Sequence, residues 1–131
     1  MRLLLDTHIW IWALDSPEKL SRAVRRQLEH TASEIYLSPI SVWEAHLLAE
    51  RGRLRTRPAF REWLKEVTAR VPLREAPFNL AVAEEAAGIR LPQSDLGDVF
   101  LAATANVFGL TLVTADAQLI ECAWLKTLAN E

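Results

Sequence analysis

Asp98-Val-Phe-Leu-Ala-Ala-Thr-Ala-Asn-Val-Phe-Gly-Leu-Thr-Leu-Val-Thr-Ala-Asp116 decides how this chain folds. Asp98–Phe108 reads as an alanine-rich helix ended by Gly109. Leu110–Thr114 follows at once, a run of leucine and β-branched residues that reads as a strand. Ala102, Ala103 and Ala105 carry so little side chain that the helix can pack closely on a sheet. Helix followed directly by buried strand is the repeating unit of an α/β sheet.

The same alternation runs through the rest of the chain. Arg2–Leu5 is a short apolar strand ending at Asp6, and His8–Leu14 is a short helix. Ser16-Pro17 offers an N-cap and a first-turn proline for a helix carrying Leu20, Val24 and Leu28 on one face. Glu34–Ser38 is the second strand, and Ser38-Pro39 starts a helix that should stop before Gly52. Pro58 opens another, with Phe60, Trp63, Leu64 and Val67 as its apolar face. Val71–Glu75 is a weaker strand, Asn79 caps a helix over Leu80–Ala87, and Trp124–Leu128 forms an edge strand. With no repeat, low-complexity tract or linker, residues 1–131 read as a single domain. The expected fold is a three-layer α/β/α domain around a parallel sheet of four to five strands.

Composition narrows the function classes. A chain of 131 residues, half of them hydrophobic, can bury a sizeable core. Its one cysteine, Cys122, excludes an internal disulfide framework and suits a reducing, cytoplasmic setting. Three scattered histidines and no Cys/His cluster argue against zinc. The opening apolar run is cut by Asp6 too early for a signal peptide, and no apolar stretch has the length of a membrane span. The net charge of −2 conceals an asymmetry: residues 1–74 carry 13 basic and 9 acidic side chains, residues 75–131 carry 2 and 8. Global charge therefore neither favours nor opposes nucleic acid.

Four acids, Asp6, Glu44, Asp98 and Asp116, fall where a strand ends or a helix begins. Each has an ordinary explanation taken singly. Asp6 can cap the following helix; Ser41-Val-Trp-Glu44 matches a capping box; Asp95 and Asp98 gain from a helix dipole; Asp116 can form a turn. However, ligands of parallel sheets bind beyond the carboxyl ends of the strands. Carboxylates crowded at that edge raise one another's pKa, and a divalent cation relieves the repulsion. Asp95 is the more natural cap and Asp98 the better ligand.

On these residues the chain resembles the PIN-domain ribonucleases, in particular the toxins of VapBC-type toxin–antitoxin pairs. Leu-Leu-Leu-Asp6-Thr7-His8, Ser38-Pro-Ile-Ser-Val-Trp-Glu44, Asp98-Val-Phe-Leu-Ala-Ala-Thr-Ala105 and Leu112-Val-Thr114-Ala-Asp116 resemble the family's four motifs, in the family's order. The resemblance implies that Asp6, Glu44, Asp98 and Asp116 hold Mg2+ or Mn2+ for hydrolysis of RNA. It also implies supporting roles for Thr7, Asp95 and Thr114, a cognate antitoxin and a homodimer. Val99 stands where the family usually has a basic residue. Arg51, Arg53, Arg55, Arg57 and Arg61 run without an intervening acid, either as a solvated connector or as phosphate contacts for RNA. Ile9, Trp10, Ile11, Trp12 and Leu14 are core by default, with enough tryptophan to suggest a contact surface as well; Trp43 and Trp63 are expected inward.

Three other readings compete. A haloacid-dehalogenase-like phosphatase needs a second Asp where His8 stands, and a receiver domain needs a late lysine that Lys126 supplies poorly. A non-catalytic α/β protein-binding module would use its acids only as caps.

Overall fold

β1 (Arg2–Leu5) forms the centre of a parallel sheet because its leucines can be covered on both sides. Leu3 and Leu5 join one apolar cluster and Leu4 joins the other, the two-residue period of a strand buried on both faces. Leu3 and Leu4 are fully buried, and each such side chain contributes roughly 1.5–3 kcal/mol on leaving water. The computed structural model describes residues 1–57, 59–92 and 95–131.

The sheet has five strands in the order β3-β2-β1-β4-β5, with every pairing parallel. β2 is Glu34–Leu37, β3 Arg74–Glu75, β4 Thr111–Thr114 and β5 Thr127–Ala129. The helices α1 (Thr7–Asp15), α2 (Arg22–Glu29), α3 (Pro39–Glu50) and α4 (Phe60–Arg70) supply the cluster around Leu3 and Leu5. The opposite face is covered by α6 (Leu96–Phe108) and α7 (Ala117–Ile120). α5 (Leu80–Ala87) packs outside α6 through Val82, Ala86 and Ala103. Ala102 and Ala105 are buried beside Leu4 and Leu112, so α6 lies directly on the sheet, whereas Ala103, expected there too, is buried against α5 instead.

Several boundaries differ from the sequence expectation. Pro17–Lys19 is only a 3-10 turn; α2 starts after Ser21, whose hydroxyl accepts from the Val24 amide at 3.2 Å. Ser21 wins because its side chain caps the helix, whereas Ser16 makes no capping bond. The helix start assigned to Pro58 lies outside the described residues, and α4 is described from Phe60. The strand expected over Val71–Glu75 shrinks to Arg74–Glu75, and the last strand shifts to Thr127–Ala129, where it pairs with β4. Trp43 is not core: it is 59% exposed on α3, while Trp63 packs against Trp10 with ring centres 5.8 Å apart. Ile9, Trp10 and Ile11 are buried, so core packing accounts for most of the tryptophan-rich segment. No helix among the described residues is long and apolar enough to cross a membrane.

Candidate active site

β1 lies between β2 and β4, and the chain leaves it in one direction and later returns on its other side. At such a reversal of strand order the flanking loops diverge and leave a crevice beyond the carboxyl ends. Asp6 follows β1 and Asp116 follows β4, so both stand at that crevice. Asp6, Glu44, Asp95, Asp98 and Asp116 all line one cavity of about 600 Å³. The sequence-predicted acids therefore converge, although the chain separates them by up to 110 positions.

Capping and site geometry coexist here. Asp6 Oδ1 accepts from the Thr7 amide at 2.7 Å, the cap of α1, while Oδ2 accepts from Thr114 Oγ1 at 2.7 Å. Thr114 Oγ1 also accepts from the Asp116 amide at 3.0 Å, so one buried hydroxyl ties the ends of β1 and β4 together. Asp116 Oδ1 in turn accepts from the Gln118 amide at 2.8 Å and caps α7. Asp95 accepts from the Asp98 amide at 3.0 Å, the cap of α6.

Ser38, not Ser41, caps α3, which places Glu44 in the second turn as expected. Thr7 Oγ1 donates to Glu44 Oε1 at 2.6 Å and lies 2.9 Å from Ser41 Oγ. That linkage joins α1 to α3 under the cavity. Thr7 is thus the first residue of α1, and its hydroxyl holds Glu44.

The electrostatics follow from crowding. Burial raises the Asp98 carboxyl to about 7, and the charges of Asp95, Asp6, Asp116 and Glu44 add to the rise. Burial also raises Asp6, against the opposing bonds from Thr114 and Thr7. Glu44 is raised by burial as well, partly offset by its bond from Thr7. Such a site gains from any bound positive charge.

The donor set is all oxygen, which suits a hard cation. Among the described residues, no three or more His, Cys, Asp or Glu side chains lie close enough together, as they stand, to hold a metal ion. Mg2+ keeps several waters and uses one or two carboxylates with substrate phosphate.

Arg51 and Arg53 line the same cavity, with His8 and Trp12 on its wall; Arg55 and Arg57 do not line it. Sequence reasoning missed Ser41, His8, Trp12 and Gly97 as parts of this environment. Their signal was positional: Ser41 stands one turn before Glu44, His8 two residues and Trp12 six residues after Asp6, and Gly97 beside Asp98.

The PIN domain family model matches residues 3–125. The chain belongs to the PIN-domain family. This PIN domain is 34% identical over 120 residues to ribonuclease VapC22 of Mycobacterium tuberculosis, covering 89% of this chain and 88% of that protein. It shares its fold with VapBC2 of Rickettsia felis, solved bound to a DNA fragment from the promoter, with a TM-score of 0.73, 17% identity and full coverage of both chains. It also superposes on FitAcB of Neisseria gonorrhoeae, with a TM-score of 0.64, 26% identity and coverage of 98% and 97%. The phosphatase and receiver readings find no support in these relationships.

Proposed function

We propose that this PIN domain is a metal-dependent endoribonuclease acting as the toxin of a type II toxin–antitoxin pair in the cytoplasm. The observation that carries the reading is the convergence of Asp6, Glu44, Asp98 and Asp116 on one cavity at the strand-order reversal, with two arginines on its wall. Asp6, Glu44, Asp98 and Asp116 would hold Mg2+ or Mn2+, which when bound would supply positive charge at the scissile phosphate and lower the pKa of the attacking water. The chain's own groups do the positioning. Thr114 orients Asp6 and Thr7 orients Glu44, which removes rotameric freedom that would otherwise blur the site. Asp95 orders the first turn of α6 and so places Asp98.

Arg51 and Arg53 offset the repulsion between the acidic cavity and RNA. Arg51→Ala with Arg53→Ala should weaken binding of single-stranded RNA and flatten the slope of log K against log salt by about 1.4. Arg55→Ala with Arg57→Ala should change that slope less, because those side chains stand off the cavity. Equal slopes for both pairs and wild type would remove arginine contact from the mechanism.

Relatives described as toxin–antitoxin systems support an antitoxin partner; that it covers this site, and that the protein is a homodimer, are part of the same proposal. The enzymatic reading is tested with purified, partner-free protein. RNA cleavage should require Mg2+ or Mn2+ and stop with chelator, and calorimetry should register Mn2+ binding. A protein-binding module whose acids are only caps would show neither.

A further inference from the structure

We propose that Gly97 is a positioning residue for Glu44. Glu44 reaches from α3 across to the first turn of α6, where its carboxylate lies against the bare Cα of Gly97. A methyl group built on Gly97 would overlap Glu44 Oε2, with Cδ at 2.9 Å and Oε1 at 3.2 Å. Real Cβ atoms do not approach so closely, so one side must move.

Helix α6 is poorly placed to yield. Asp95 caps its start, and Leu101, Ala102 and Ala103 are buried just beyond. The Glu44 carboxylate is the far end of a flexible side chain and moves instead. The oxygen that accepts the 2.6 Å bond from Thr7 is in the crowded set too, 3.2 Å from the added methyl, so the movement that frees the rest of the carboxylate strains that bond. The missing side chain at position 97 therefore holds open the place where Glu44 meets Asp98 at the cavity. Gly97 lies within a helix, where alanine is the better helix former, so local propensity gives no reason for glycine here.

The inference rests on the cation-site reading for its metal-binding arm only. Gly97→Ala should shift the metal-free melting temperature little, since the better helix propensity of alanine offsets the lost Thr7–Glu44 bond. Its Mn2+ affinity by calorimetry should fall about 10–100-fold, as when a group supporting a metal ligand is lost. In a Glu44→Ala background the same substitution should change Mn2+ affinity less than about twofold, because the displaced carboxylate is already gone. Unchanged affinity in Gly97→Ala, or an equal loss with and without Glu44, overturns the proposal.

A metal-free cycle decides the matter independently. Thr7→Val should lower the melting temperature of the wild type, and lower it by less than half as much in Gly97→Ala, where the Thr7–Glu44 bond is already broken. Additive shifts overturn the proposal. Should the wild type take up no Mn2+, the cation reading fails and this second cycle alone judges Gly97.

Discussion

Asp98→Asn should lower metal-dependent RNA cleavage by about 10²–10³-fold while making the metal-free protein more stable at pH 8. The two effects have one cause. Folding places the Asp98 carboxyl half-buried among Asp95, Asp6, Asp116 and Glu44 and raises it to about 7, from an ordinary value of 3.8. A carboxyl raised on folding opposes the folded state once ionised. Below about pH 4 it is protonated in both states and contributes nothing. Between about pH 4 and 7 the unfolded chain ionises first, and the folded state loses stability as pH rises. Above that window the penalty is complete. Asparagine keeps the shape and removes the charge, so its melting temperature should exceed wild type at pH 8, and the gain should shrink toward pH 4. The helix-dipole gain of an acid in the first turn of α6, a few tenths to about 1 kcal/mol, is lost and offsets part of this. On the proposed reading cleavage moves the other way, because the removed charge is one of those that would hold the cation. Thermal melts across pH, with RNA cleavage assays at saturating Mg2+, measure both; wild-type cleavage rates in Asp98→Asn would sink the metal assignment.

Thr114→Val should cost about 1–3 kcal/mol and reduce cleavage about 10–100-fold. Thr114 is fully buried, donates to Asp6 and accepts from the Asp116 amide. Valine has nearly the same shape but removes both bonds, taking the Thr114 partner from Asp6 Oδ2 and from the Asp116 amide, which costs more than the bonds contributed. The melting temperature should fall by about 3–10 °C for a domain of this size. Thr114→Ser separates the hydroxyl from the methyl group. It should keep most of the cleavage activity while losing some stability to the missing methyl. If valine and serine cleave equally well, Thr114 does no more than pack.

The stability and activity of this site pull against each other, and the geometry shows why. Asp6, Glu44 and Asp98 all have raised carboxyl pKa values with burial as the leading cause. A fold selected for rigidity alone would not gather them. On the proposed reading, cation binding would convert that penalty into affinity.

What the amino-acid order determined by itself was local. β-branched and leucine runs marked β1 and β4, Gly109 stopped α6 with φ at +65°, and Ser38-Pro39 started α3. These depend on a few neighbouring residues, so the string carries them. The acids were legible because each sits at a boundary that the same local rules mark. Tertiary packing alone decided the rest. Short strands such as Arg74–Glu75 exist only because a neighbouring edge, here β2, offers backbone bonds. Trp43 looked inward by spacing and turned outward because α3 gives its buried face to Ser41 and Ala45. Glu44 meets Gly97, and Thr7 meets Glu44, across 53 and 37 positions of chain. A contact at that separation follows from how helices settle on a twisted sheet, which no window of neighbouring residues contains.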